Sequence, residues 1–90
     1  MYFVYVILQN NGNLYIGYSK DLKKRIRDHK GGKVRTTRNN RPLKLILYEC
    51  YLLEDDAKRR EKYLKSSDGK RDLKRQLSSA FAKYNIHKNK

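Results

Sequence analysis

From Tyr2 to Leu8 every position is apolar or aromatic, with Tyr2, Val4, Val6 and Leu8 alternating against Phe3, Tyr5 and Ile7. A strand that is apolar on both faces belongs in the middle of a sheet, covered above and below. Asn10-Asn11-Gly12-Asn13 then supplies a turn in which Gly12 is free to take a positive φ. Apolar alternation resumes over residues 14–18, so residues 2–18 are predicted to form a β-hairpin. Ser19 is placed to cap a following helix, with Asp21 favourable in its first turn. That helix runs to about His29 or Lys30 and stops at Gly31-Gly32. Residues 33–42, KVRTTRNNRP, carry no apolar periodicity and read as a loop, with Pro42 at the entry to a third strand over 43–53. The third strand is again apolar on both faces, at Leu45, Ile46, Leu47 and Tyr48. A second helix covers 54–64, acidic first and basic later, as the helix dipole prefers. After a break at Ser66-Ser67-Asp68-Gly69, a third helix over 70–84 buries a stripe of Leu73, Leu77, Ala80, Phe81 and Tyr84. The order β-β-α-β-α-α predicts an α/β fold, a small three-stranded sheet packed with helices.

Length and charge narrow the picture. A chain of 90 residues makes one small domain. It is expected over residues 1–84, with 85–90 a basic, frayed tail in which His87 is a surface residue. Twenty-three Lys and Arg face nine acids, a formal charge of +14. So large an imbalance calls for a polyanionic partner, and nucleic acid is the commonest. A membrane-surface helix fits poorly, because the apolar residues lie in alternating strands as well as in helices. The run Tyr2–Leu8 is too short for a signal-peptide core or a membrane span. The single cysteine, Cys50, excludes an internal disulfide and a cysteine metal cluster. A lone thiol suits a reducing compartment, and a cytoplasmic location is expected.

Candidate chemistry comes from polar residues on apolar faces. At 100° per residue, Leu22 and Ile26 define the buried side of the first helix. His29 falls in the same stripe, and Arg25 lies at its edge. On the second helix Ala57 and Leu64 define the inner side, with Glu61 between them in projection. An inward carboxylate needs a cation, because an unpaired buried charge is costly. Glu61 could simply pair with Arg25 or His29 to tie two helices together. Alternatively, all three surround a cavity on one sheet face, to which Tyr5 and Tyr15 contribute hydroxyls.

Such a set could hydrolyse a phosphodiester, which needs an activated water, charge relief on phosphoryl oxygens and help for the leaving oxygen. One carboxylate, Glu61, can hold a hydrated Mg²⁺, which favours one metal over a two-metal clamp. Arg25 would neutralise developing charge. A tyrosine could take a proton from water if nearby cations lower its pKa. His29 could orient that tyrosine or contact phosphate. Lys33, Arg35, Arg38 and Arg41 in the loop, with Lys24, would hold the nucleic-acid backbone. There is no GxGxxG, P-loop or Ser/His/Asp order, so no organic cofactor is called for.

Together these residues resemble the GIY-YIG nuclease domain. Tyr15-Ile16-Gly17 matches the second tripeptide, and Phe3-Val4-Tyr5 is similar to the first with Phe in place of Gly. Residues 19–25, SKDLKKR, look like the family's arginine helix, and residues 57–65, AKRREKYLK, like its glutamate helix. The likeness covers essentially the whole chain and is strongest to short stand-alone bacterial members similar to the N-terminal domain of the excinuclease. It implies a three-stranded antiparallel sheet flanked by helices and divalent-metal-dependent cleavage of DNA, with Mg²⁺ or Mn²⁺. It also implies roles: Tyr5 and Tyr15 as the motif tyrosines, one of them the general base, Arg25 on phosphate and Glu61 on metal. His29 matches a histidine that some members carry one turn after the arginine. Tyr18 stands where excinuclease-type members can have a lysine, and residues 69–77 lack an Asn that some relatives use. The expected activity is a DNA endonuclease of repair, recombination or processing. The alternative is a nucleic-acid-binding module of the same fold without turnover.

Overall fold

The computed structural model describes residues 1–86. Its sheet has three strands, β1 (Tyr2–Leu8), β2 (Leu14–Ser19) and β3 (Lys44–Tyr51), in the order β2-β1-β3 and antiparallel throughout. The helices are α1 (Leu22–Lys30), α2 (Glu54–Leu64), α3 (Ser67–Gln76) and α4 (Ser78–Tyr84), with a short 3₁₀ turn at Arg38–Asn40. This is the antiparallel three-stranded α/β architecture that the sequence resemblance implied.

The central place of β1 follows from its composition: Val4, Tyr5, Val6 and Ile7 are all at most 1% exposed. The hairpin closes through Gln9 N–H to Asn13 carbonyl and Gly12 N–H to Gln9 carbonyl, each at 2.9 Å. Gly12 takes φ 88°, where a side chain would be strained.

The two sides of the sheet are covered differently. Val4, Val6 and Ile16 pack with Ala57 and Leu64 of α2 and Leu73 of α3. Tyr5 and Ile7 turn the other way, toward Leu43, Tyr15, Leu45 and the Leu22 and Ile26 side chains of α1.

Several boundaries differ from expectation. Asp21, rather than Ser19, caps α1, its carboxylate accepting from Lys24 N–H at 3.1 Å. The Ser19 hydroxyl instead accepts from Asp21 N–H at 3.0 Å and so bends the chain into the cap. The expected third helix is two helices, α3 and α4, separated at Leu77 (φ −107°, ψ 34°). The serine-rich break is itself the start of α3: the Ser66 hydroxyl accepts from Gly69 N–H at 3.1 Å. β3 is an edge strand and ends two residues early, leaving Leu52 and Leu53 exposed. The loop between α1 and β3 is anchored by buried Val34 and Thr37. At the far end Ile86 is buried; residues 87–90, His87 among them, lie outside the described residues.

Candidate active site

The site grows out of the middle of β1. Tyr5 pairs with Gly17 on β2 and with Tyr48 on β3. Gly17 has no Cβ, and one placed there would lie 2.4 Å from both Cζ and Oη of Tyr5. The Tyr5 ring therefore lies across Gly17 and fills the space opened by the missing side chain. On α1 the 3.6-residue period brings Arg25 and His29 over that ring.

The phenol is fully engaged. Tyr5 Oη lies 2.9 Å from His29 Nε2, and Arg25 Nε–H donates to it at 3.4 Å. On the far side of the imidazole, Nδ1 lies 2.8 Å from Thr37 Oγ1. With Arg25 donating to the phenol oxygen, the phenol proton finds its acceptor in Nε2, and Nδ1–H then donates to Thr37. Tyr15 completes the cluster, its ring edge-on to His29 with centroids 5.0 Å apart and 6.3 Å from the Tyr5 ring. Tyr15 also interacts electrostatically with Arg25, adding to the effect by which the site phenols raise the pKa of the guanidinium. Tyr5, Tyr15, Arg25 and His29 are thus brought together as expected from the sequence.

Burial dominates the electrostatics. Tyr5 is pushed above the ordinary phenol value by desolvation, which outweighs the opposing bond from Arg25. The expectation that neighbouring cations would depress a site tyrosine is therefore reversed at Tyr5. His29 is held down to about 4, first by burial and then by the Arg25 cation, with Asp28 acting weakly the other way. The imidazole is neutral at physiological pH.

Glu61 stands apart from this network. α2 covers the opposite side of the sheet, with Ala57 and Leu64 fully buried. Glu61 is half-buried and pairs with Lys65 at 3.0 Å, so it forms no tie to Arg25 or His29. Its charge nonetheless raises the pKa of both Tyr5 and Tyr18, which puts it within electrostatic reach of the site. Among the described residues no group of three or more His, Cys, Asp or Glu converges. A single half-buried carboxylate suits a hard cation that keeps most of its waters, the ordinary habit of Mg²⁺.

Tyr18 is committed to α2. Its hydroxyl donates to Glu54 at 2.6 Å, its ring stacks on Tyr2, and Lys58 lies 5.5 Å from the ring centroid. Desolvation and Glu54 push it up to about 12.

The basic loop is ordered by contacts that sequence patterning did not reveal. Besides Thr37 on His29, Asn10 N–H donates to the Asn40 carbonyl at 2.8 Å and Asn40 Nδ2 to Gln9 Oε1 at 3.3 Å. Lys33, Arg35, Arg38 and Arg41 are exposed. Arg41 is also a brace, donating to the carbonyls of Arg38 at 3.0 Å and Lys30 at 3.3 Å across Gly32. Lys24, exposed on α1, pairs with Asp28 at 3.2 Å.

A sheet with this topology, carrying paired tyrosines under an arginine helix, is a nuclease-type fold. The model of the GIY-YIG catalytic domain matches residues 1–76, and the chain belongs to the GIY-YIG family. Within it the chain is similar to proteins named UPF0213. One from Staphylococcus epidermidis is 36% identical over 74 residues, covering 81% of this chain and 90% of the relative. One from Haloquadratum walsbyi is 33% identical over 78 residues, covering 86% and 85%. The solution NMR structure of a UPF0213 protein from Bacillus halodurans superposes with a TM-score of 0.56 at 26% identity, covering 97% of this chain and 100% of that one. No helix among the described residues is long and apolar enough to cross a membrane.

Proposed function

We propose that this chain is a divalent-metal-dependent endonuclease that hydrolyses DNA phosphodiester bonds, in repair, recombination or processing of DNA. The observation that carries the proposal is the closed Arg25–Tyr5–His29–Thr37 network, which fixes a guanidinium beside a second, more accessible phenol. Tyr5 is shut off from water and raised in pKa. It acts as the support that aims Arg25. Tyr15 is half-buried, lies within electrostatic reach of Arg25, and is the phenol that can take a proton from an attacking water. Arg25 stabilises charge developing on the phosphoryl oxygens through its terminal N–H donors, its Nε–H being held by Tyr5. Neutral His29 holds the Tyr5 proton and so keeps that hydroxyl an acceptor for Arg25. Glu61 would hold the Mg²⁺ or Mn²⁺ ion, which when bound supplies charge relief to the phosphate and the leaving oxygen. Lys33, Arg35 and Arg38, with Lys24 on α1 and Arg41 at the loop's end, grip the flanking backbone.

The test is cleavage of plasmid, nicked and branched DNA with Mg²⁺ or Mn²⁺. Arg25→Ala and Glu61→Ala should each lower the rate on the order of 10²–10³-fold, the usual loss on removing one preorganised stabiliser. Activity that survives both substitutions overturns the site. A second reading, a binding module without turnover, is favoured by the raised pKa of Tyr5 and by the commitment of the Tyr18 hydroxyl to Glu54. It predicts equal DNA affinity in EDTA and in Mg²⁺, with no cleavage in either.

A further inference from the structure

The side of the sheet that carries Tyr5 is not covered along its whole width. α1 and the basic loop close it over Tyr15, Ile7 and Leu43, but the β3 side is open: Tyr48 is 55% exposed. Tyr48 reaches this side through an irregularity in β3. Val6 pairs with Leu47 but Ile7 with Leu45, so Ile46 is an extra residue, a β-bulge. Leu45 packs with the Tyr5 cluster, whereas Ile46 and Leu47 both pack on the α2 side. The alternation is thereby shifted by one, and Tyr48 emerges beside Tyr5. Phe3, two residues before Tyr5 on β1, lies on the same side, and its ring meets Tyr48 edge-on with centroids 6.2 Å apart.

The bulge has a structural use, since it also sends Glu49 to its bidentate pair with Arg60 on α2, at 3.0 and 3.2 Å. That use sets the direction of residue 48 but places no demand for an aromatic there. Exposed positions on edge strands are normally blunted with charge. An exposed Tyr48 backed by half-buried Phe3 beside Tyr5, in a chain of net charge +14, fits one occupant well. Nucleic-acid sites that accept single strands combine cations along the backbone with rings on which bases stack. In a duplex the base faces are already stacked and out of reach.

We infer that Phe3 and Tyr48 form a stacking shelf for one unpaired nucleobase next to the scissile phosphate, so that the substrate is single-stranded DNA or the single-stranded flank of a branched one. The location beside a scissile phosphate rests on the nuclease proposal; the shelf itself does not.

Binding in EDTA separates the two. A labelled single strand of about 12 nucleotides, within the usual site size, is titrated against its own duplex, using the parent, Tyr48→Ala and Tyr48→Phe proteins. Tyr48 is exposed, so its variants should fold, and circular dichroism checks this. Loss of one base–aromatic stack should weaken single-strand binding on the order of tenfold for Tyr48→Ala and leave duplex binding within about twofold. Tyr48→Phe keeps the ring and should keep the affinity. Fluorescence of 2-aminopurine in the strand should be quenched by the parent and by Tyr48→Phe but not by Tyr48→Ala. Equal losses on single strand and duplex, or no loss on either, overturn the shelf. Because no turnover is involved, these outcomes stand whether or not the chain cuts DNA. Cleavage whose preference for single strands is unchanged in Tyr48→Ala overturns the shelf and leaves the nuclease intact.

Discussion

Val4 and Val6 point to one side of the sheet, Tyr5 and Ile7 to the other, and all four are removed from solvent. On the α2 side their neighbours are Ile16, Ala57, Leu64 and Leu73, an apolar cluster. Ion pairs close its margins, Glu49 with Arg60 foremost. On the α1 side the most deeply buried polar groups are a phenol, an imidazole and a threonine hydroxyl, satisfied by one another and by Arg25. Among the described residues no buried side-chain polar atom lacks a hydrogen-bond partner. Apolar burial stabilises in proportion to area and tolerates small shifts. A buried polar network stabilises only while every bond is made, because each orphaned group costs a desolvation penalty. One face of the sheet therefore supplies stability, and the other supplies geometry.

Substitutions on the two faces should separate these roles. Leu64→Ala, fully buried on the α2 side, should cost about 2–5 kcal/mol in denaturant melts. It should leave the imidazole resonances of His29 in place. If those resonances move as well, the faces are coupled and the contrast fails.

Acid probes the α1 side. His29 titrates at about 4 when folded against an ordinary 6.5. Between those values the unfolded chain carries a proton that the folded chain refuses, so stability rises with pH through this window. The contribution is complete above about pH 6.5 and lost toward pH 4, about 3 kcal/mol in all. Unfolding midpoints at several pH values should show that slope, and His29→Gln should flatten it.

Gly17→Ala adds a methyl 2.4 Å from Tyr5 Cζ and Oη. The ring has to move, at about 1–3 kcal/mol, and the Tyr5–His29 bond breaks with it. A smaller melt shift than that of Leu64→Ala, with altered His29 resonances, would be the signature. Thr37→Val keeps the shape and leaves His29 Nδ1 without its partner, an expected loss of about 1 kcal/mol. The loop residues should become more accessible to hydrogen exchange, and unchanged protection would separate Thr37 from loop anchoring.

Much of this contrast is legible in the residue pattern alone. The unbroken apolar run of β1 reads as a strand covered on both sides, and the period of two puts Tyr5 and Tyr15 each on an alternating face of its own strand, the hairpin register then bringing both to one side. The helical period likewise puts Arg25 and His29 on one stripe of α1. Other features depend on information that periodicity does not carry. A helical wheel tells which side of α2 faces inward, but not which face of the sheet α2 covers, so the pattern does not show that Glu61 pairs with Lys65 and reaches the Tyr5 cluster only through its charge. A bulge leaves β3 apolar in composition while changing where Tyr48 points. Thr37 is a small polar residue in a polar loop, and its burial follows only from where that loop lands. The stripe from Leu73 to Tyr84 continues in helical register across Leu77, so the change of backbone angles there has no signal in the pattern.

The stitching of the loop between α1 and β3 has a consequence for the speed and strength of capture. Thr37, Asn40 and Arg41 fasten this segment to α1 and to the hairpin turn at several points. Ordering ten flexible residues on a ligand would otherwise set roughly 1–2 kcal/mol per residue against association. Here that entropy is already given up during folding, so a strand gripped as proposed by Lys33, Arg35 and Arg38 would meet a backbone that no longer has to be arranged.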